Sequence, residues 1–450
     1  MNTSSQSRPP SLWSAAAAAA AKTPEARNRL VDFLRAVSIL AVISGHWLLA
    51  APYVAGGELR IGNMLQTHPW TQWLTWGFQV MPIFFLVGGY ANAVSWQAAQ
   101  RDGRSYADWL GARLQRLIGP LLPLLLVWAF LGAAGNQLGV PPEFVRAGSQ
   151  AALVPIWFLA VYMLVVLLVP LTYAAWQRLG FVSFAVLAAL AVLDDVLFFA
   201  GQKNAGWFNY LFIWLAVHQL GYAWFAERIA SARTRFALGL AGLALLVGLV
   251  FGGPYPLSMI SVAADEVSNT LPPKLTLLAL GIAQTGILLA VEQPLRRWLT
   301  RGRVWTTTVL LNGMIMTIYL WHLTAAALVI AIAIMLGNLG LDRVPGSGAW
   351  WLARPLWMLL YVAALALLTL FVARYERGSG APRSVAAWRQ VIGTLLVSLG
   401  LAILAMSGVG GHGWLGLKAW VLLLPFGGAW LAGLIQADVP WRPHEPRADS

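Results

Sequence analysis

Long apolar stretches alternate with short polar segments along almost the whole chain. The apolar stretches are about 20 residues long, which is the length that an α-helix needs to cross a bilayer. The pattern therefore predicts an all-α polytopic membrane protein with about 12 transmembrane helices. We expect these helices at residues 31–54, 72–97, 112–133, 152–174, 180–200, 207–226, 235–252, 272–292, 305–336, 350–373, 388–408 and 415–435.

Composition and charge agree with a membrane protein. Hydrophobic residues make up 59% of the sequence and charged residues only 10%. The net charge of +13 would by itself fit a nucleic-acid-binding protein, but the charges are unevenly distributed. If the N-terminus is cytoplasmic, 23 of the 30 Lys and Arg residues fall on the inner side. This asymmetry follows the positive-inside rule, so we expect both termini in the cytoplasm, a lipid bilayer as partner and no nucleic acid.

The absence of cysteine narrows the chemistry. Disulfides, thiol nucleophiles and cysteine-based metal sites are excluded. The six histidines are scattered and lack the spacing of zinc ligands, so we expect no metal.

Arg35 and His46 are the most informative polar residues, because both lie in the first apolar stretch. Eleven helical residues make almost three turns, so the two side chains share one face, roughly 16 Å apart along the axis. Ionisable residues inside a membrane are costly and are therefore candidates for function. The Arg35 guanidinium could bind phosphate, or it could form an ion pair with Asp32. The His46 imidazole could act as acid or base, or it could form a structural hydrogen bond.

Four motifs occur in the same order as in one known family. They are Arg35-x10-His46 preceded by Asp32, the run Phe84–Tyr90, the run Arg113–Pro120 and the run Tyr319–His322. On these motifs the chain resembles the membrane acyltransferase-3 family over about residues 27–375. One position departs from the family pattern. Tyr162 stands where many members carry a glutamate, so the role of that glutamate cannot be transferred to this chain.

The resemblance implies a ten-helix core that moves an acyl group, such as acetyl, from a cytoplasmic acyl-CoA donor. The implied acceptor is a hydroxyl of a cell-envelope carbohydrate or of a lipid-linked glycan. His46 would be the catalytic base or proton relay, His322 a second catalytic residue and Arg35 a donor-binding residue. The implied location is the bacterial cytoplasmic membrane.

The remaining segments would surround this core, which spans 27–375. Residues 1–26 are expected to form a flexible cytoplasmic tail, with a short interfacial helix as the alternative. Residues 376–436 would hold a linker and two extra transmembrane helices, and residues 437–450 a cytoplasmic tail.

Further polar residues are candidates for the same site. Arg113 and Arg116 would add contacts to donor phosphates, or would anchor a helix end by the positive-inside rule. A set inside the apolar stretches predicts a hydrated chamber for the acceptor. This set consists of His218, Gln219, Asp194, Asp195, Asn312 and Tyr319. Hydrogen bonding between helices is the structural alternative for the histidines, and solvation of the membrane boundary is the alternative for Asp194 and Asp195.

Two other classes of protein fit parts of the pattern. A proton-coupled secondary transporter of a small or lipid-linked solute also has about 12 helices and buried ionisable residues. The motif Arg35-x10-His46 and the lack of an internal repeat favour the acyltransferase. A non-catalytic scaffold would not need the buried polar set. Consumption of acyl-CoA by the purified protein separates the first class from the other two.

Overall fold

The chain folds into a bundle of apolar helices. The computed structural model describes residues 11–262, 266–376, 383–411 and 413–435. The helices are α1 (Leu12–Ala21), α2 (Arg29–Leu49), α3 (Met64–Thr67), α4 (Leu74–Phe78), α5 (Met81–Arg101), α6 (Tyr106–Ile118), α7 (Leu121–Gln137), α8 (Pro142–Leu153), α9 (Ile156–Leu167), α10 (Val169–Leu179), α11 (Phe181–Phe199), α12 (Asn209–Phe225), α13 (Ala232–Gly252), α14 (Leu275–Ala290), α15 (Glu292–Trp298), α16 (Gly302–Asn312), α17 (Ile315–Met335), α18 (Gly348–Glu376), α19 (Ala387–Ser407) and α20 (Ala419–Leu431). Short 3-10 turns lie at Pro69–Trp73, Ala205–Phe208 and Trp414–Gly416.

The helices support an integral membrane protein, but the predicted number of 12 spans is not confirmed. Within the described ranges, eight helical segments are long and apolar enough to cross a membrane. The number rises to ten if the bent pairs α8–α9 and α14–α15 each form one span. Two other helices in predicted spans are short, since α12 has 17 residues and α20 has 13.

A β-hairpin corrects the all-α prediction. Strands β1 (Ala50–Ala55) and β2 (Glu58–Asn63) pair antiparallel directly after α2, where we had extended the first span to residue 54. The turn is Gly56–Gly57, with φ of 64° and 81°. A two-residue hairpin turn of this hand needs positive φ at both positions, which glycine adopts without strain. Pro52 also opposes helix continuation, because it lacks a backbone N–H.

The N-terminal segment differs from the flexible tail that we expected for 1–26. Residues Leu12–Ala21 form α1, with the Ser11 side chain accepting the Ser14 N–H as an N-cap. Ala16 and Ala20 are buried, and the helix packs on α16. The short helix that was the alternative is therefore present, because alanine favours helix and its small side chain permits close packing. Residues 1–10 and the predicted tail 437–450 lie outside the described part of the chain.

Glycine allows three helix pairs to approach to backbone contact. A Cβ on Gly221 of α12 would overlap the Leu86 carbonyl oxygen of α5. A Cβ on Gly286 of α14 would overlap the Gly239 backbone of α13, and one on Gly393 of α19 would lie 2.5 Å from the Gly428 carbonyl oxygen of α20. Small residues at such positions are typical of helix contacts inside membranes. The Gly88–Gly89 pair of the second motif serves this packing, since Gly89 faces α12 and Gly88 faces Tyr162.

The two C-terminal helices pack against the helices of the predicted core. α19 lies against α8 and α9, and its buried residues belong to the same hydrophobic cluster as those of α2 and α5. The loop before α20 is held on α7, where the Asn136 side-chain amide donates to the Leu415 and Gly416 carbonyls. Helices α19 and α20 therefore bury side chains of the bundle.

Candidate active site

His46 and His322 come together, although 276 residues separate them in the sequence. His46 lies one turn before the end of α2, and His322 lies in the first half of α17. The His46 Nδ1 and His322 Nε2 atoms are 2.9 Å apart, and the two ring planes are nearly parallel at 7°. His322 is fully buried, whereas His46 keeps partial exposure. Of the two histidines, His46 is therefore the one that a ligand could reach.

The hydrogen bonds of His322 determine the tautomers of the neutral pair. His322 Nδ1 lies 2.5 Å from the Tyr319 carbonyl oxygen, which can only accept a hydrogen bond. His322 Nδ1 must therefore carry the proton, which leaves its Nε2 as an acceptor. His46 then donates through Nδ1–H, and its own Nε2 carries a free lone pair. This assignment makes His46 Nε2 the basic atom of the pair.

Tyr319 shapes this arrangement through its backbone and its ring. Its carbonyl fixes the His322 tautomer, and its hydroxyl donates to the Pro155 carbonyl at 2.6 Å. Pro155 precedes α9, and because proline has no backbone N–H, it interrupts the helix between α8 and α9. Its carbonyl oxygen therefore lies at a break between helices. Tyr319 is thus a buried link between α17 and the α8–α9 bend rather than a residue of an open chamber.

Trp47, Arg354 and Tyr361 support the pair from α2 and α18, and the sequence analysis did not select them. The Trp47 indole N–H donates to the His322 carbonyl at 3.0 Å, and its ring lies 5.4 Å from that of Tyr361. An Arg354 guanidinium N–H donates to the Trp47 carbonyl. Arg354 is only 5% exposed. An arginine inside a predicted span was the signal that could have drawn attention to it.

Arg35 lies in an ion-pair cluster toward the other end of α2. Its guanidinium contacts Asp32 at 3.2 Å and donates to the Asn312 side-chain oxygen at 2.8 Å. Asp32 also pairs with Arg27 at 2.7 Å, and this hydrogen bond raises the pKa of Arg27. The Asn312 amide donates in turn to the Asp32 carbonyl. Asn312 thus lies beside Arg35 and orients it, and the predicted pairing of Arg35 with Asp32 is present.

Arg113 lies within electrostatic reach of Arg35, Arg116 and the Tyr162 hydroxyl, and Arg116 also lies within reach of Arg35. Arg113 is partly buried, stands over the Trp109 ring at 5.9 Å and donates to the Ala91 carbonyl at 3.3 Å. Arg116 is exposed. The three arginines therefore form one positive region, with the Tyr162 phenol beside it.

The side of α2 that carries Arg35 and His46 connects the arginine region to the histidine pair. Arg35 and His46, with Val42 between them on the same face, all keep partial exposure. The strongly exposed apolar residues of α2 are Val37, Leu40 and Leu48. At roughly 100° per residue they lie about 140–220° away from Arg35 around the axis. Lipid would therefore contact the opposite side of α2, while the Arg35–His46 side faces the bundle and remains partly open.

His218 and Gln219 form a separate polar cluster in α12. His218 is fully buried, with its Nε2 atom 3.1 Å from the Asn92 amide nitrogen. The same Asn92 nitrogen lies 3.4 Å from the Tyr162 hydroxyl, and Gln219 accepts from the Ser183 hydroxyl at 2.8 Å. These contacts link α5, α9, α11 and α12. His218 connects through Asn92 and Tyr162 to the arginine region, and none of its contacts with described residues joins it to His46.

Asp194 and Asp195 lie in another buried cluster at the end of α11. Asp195 accepts the Leu275 N–H at 2.8 Å and the Tyr255 hydroxyl at 3.0 Å, and it lies 3.8 Å from the Lys274 ammonium group. Asp195 thereby caps the N-terminus of α14, which satisfies an N–H group without a partner inside the helix. Asp195 and Lys274 are 2% and 0% exposed. These contacts indicate a structural role for Asp195.

The described side chains include no group of three or more potential metal ligands. A family sequence model described as an acyltransferase domain matches residues 28–374 of the chain. Nothing matches among the curated proteins or the solved structures that were compared.

Proposed function

We propose that this chain, which belongs to the acyltransferase-3 family over residues 28–374, catalyses O-acylation with His46 at the end of α2 that leads into the β-hairpin. The donor is a cytoplasmic acyl-CoA, and the acceptor is a hydroxyl of a cell-envelope carbohydrate or lipid-linked glycan. The proposal places the protein in a bacterial cytoplasmic membrane with both termini inside. The observation that carries it is the contact of His46 Nδ1 with His322 Nε2, which leaves His46 Nε2 available as the base on the partly exposed side of α2.

His46 acts as the general base and then as the general acid. Its Nε2 takes the proton of the acceptor hydroxyl while the hydroxyl oxygen bonds to the thioester carbonyl carbon. The carbon–sulfur bond then breaks, and the imidazolium returns the proton to the departing thiolate. The products are an ester and the free thiol of coenzyme A, so the histidine ends the cycle in its starting state.

His322 orients His46 and does not carry the charge. Its Nδ1–H bond to the Tyr319 carbonyl keeps Nε2 available as the acceptor for His46. Protonating His322 as well would place a cation at a fully buried position that contacts no carboxylate in any described interaction, which is costly. The partly exposed His46 is the better place for the transient positive charge.

The arginine region suits the phosphates of the donor. Arg35 is held by Asp32 and Asn312, so its guanidinium is oriented before a ligand arrives. Arg113 and Arg116 add positive charge nearby, and guanidinium groups bind phosphate through paired hydrogen bonds. The roughly 16 Å between Arg35 and His46 along α2 would be bridged by the long pantetheine arm of coenzyme A.

Replacing His46 by glutamine tests this assignment. Glutamine can form hydrogen bonds but cannot exchange a proton near neutral pH, so acyl transfer should fall by about 10²–10⁴-fold. Release of free thiol from acetyl-CoA by purified protein, with membrane glycolipid as acceptor, measures the rate. Donor affinity and yield should stay close to those of the unaltered protein.

His68→Gln is the matched control, because His68 directly follows α3 and contacts Thr67 rather than His322. This control should retain full activity. Near-normal turnover in His46→Gln would refute the catalytic assignment. Solute exchange across vesicles without thioester cleavage would favour the transporter instead.

A further inference from the structure

The last turn of α2 is held by a side chain from a distant helix. Trp47 lies two residues before the end of α2, where backbone carbonyls have no partner within the helix. Arg354 of α18 donates a guanidinium N–H to this Trp47 carbonyl. The guanidinium lies 4.4 Å from the centre of the Trp350 ring and also interacts with Tyr361. A guanidinium at the C-terminal end of a helix also complements the helix dipole.

The Trp47 side chain extends this contact to the second histidine. Its indole N–H donates to the carbonyl of His322 itself, at 3.0 Å. Its ring packs on Tyr361, and only 5% of the residue is exposed. Trp47 therefore contacts α17 and α18 while it is the chain neighbour of His46. A shift of either helix would change the distance between the two imidazoles.

We infer that Trp47 and Arg354 are positioning residues that hold His46 and His322 at hydrogen-bonding distance for catalysis. This inference rests on the proposed function. Arg354 fixes the end of α2 against α18, and Trp47 fixes the His322 backbone against α2. A hydrogen bond between imidazoles weakens steeply with distance and angle, and a misplacement of about 1 Å can cost roughly 10²-fold in rate.

Trp47→Phe is the most direct test, since it keeps a packed aromatic ring and removes only the indole donor. We expect kcat for acyl transfer to fall by about 10–10²-fold while KM for the donor and the melting temperature stay nearly unchanged. Trp70→Phe is the matched control, because Trp70 is 59% exposed and has no contact with the histidine pair among its described interactions. Unaltered kcat in Trp47→Phe would overturn the role of Trp47.

Arg354 is tested with a rescue pair. Arg354→Gln removes the charge and weakens the link to the Trp47 carbonyl, so we expect a similar loss in kcat. Arg354→Lys keeps a charged donor and should restore a large part of that loss at the same KM. If both variants melt earlier but turn over normally, the Arg354 contact is structural only and the inference is wrong.

The His46→Gln variant distinguishes this inference from the proposed function. If His46→Gln is inactive while Trp47→Phe and Arg354→Gln are fully active, only the positioning role fails. If His46→Gln is active, the proposed function fails, and with it the positioning role.

Discussion

Replacing His322 separates two roles that a second histidine can have, orienting the first one or relaying its proton. Glutamine at this position can place a side-chain oxygen where the His322 Nε2 atom accepts the His46 Nδ1–H. It cannot take up a proton. Alanine removes the acceptor altogether. Both variants therefore remove a proton relay at residue 322, but only the alanine variant also removes the group that orients His46.

The magnitude follows from the hydrogen bonds of the pair. In His322→Ala the His46 Nδ1–H loses its partner, and an unsatisfied buried donor costs about 1–3 kcal/mol. The imidazole can escape this cost by moving its proton to Nε2, which removes the lone pair that the reaction needs. The rate should therefore fall by roughly 5-fold to 150-fold. In His322→Gln the acceptor remains, so we expect turnover within about tenfold of the unaltered enzyme.

The assay is release of coenzyme A thiol under single-turnover conditions, with donor affinity measured on the same samples. Donor affinity should be unchanged in both variants, because the arginine region lies at the other end of the Arg35–His46 face. If His322→Gln is as inactive as His46→Gln, His322 relays the proton and our electrostatic argument is wrong. If His322→Ala is fully active, the hydrogen bond between the histidines has no role in catalysis.

Three further predictions concern binding and stability. Arg35→Lys keeps the charge beside Asp32 but loses the paired donors of the guanidinium, so acetyl-CoA should bind about tenfold more weakly in calorimetry. Unchanged affinity would mean that Arg35 has a structural role only. Asp195→Ala leaves buried Lys274 without its carboxylate partner and should lower the free energy of unfolding by about 3–5 kcal/mol. An unaltered melting temperature in detergent would contradict the role of Asp195 as the partner of Lys274. Gly221→Ala should cost about 1–3 kcal/mol, because its Cβ meets the α5 backbone, and Gly248→Ala in open space is the control. Equal melting temperatures for the two glycine variants would refute the close α5–α12 contact.

The hydrophobic pattern by itself determined most of the helical organisation. Each predicted span contains at least one helix, because burial in lipid needs long apolar runs regardless of the neighbouring segments, but the first span runs on into β1 and the span at 152–174 crosses parts of three helices. The pattern did not determine the breaks. Pro155 and Pro170 interrupt the predicted span at 152–174, and the Gly56–Gly57 turn was a local hairpin signal that the apolar pattern concealed.

The sequence also determined the placement of Arg35 and His46 on one face of α2, because helical geometry depends only on their spacing. Their partners were decided by the tertiary structure. Asn312 and His322 come from α16 and α17, and helices far apart in sequence meet only through packing that spacing does not encode. The structure likewise separated Asp195, which caps α14, from the histidine pair. A buried polar residue is recognisable from sequence because it is costly, but the group that satisfies it depends on which helices pack together.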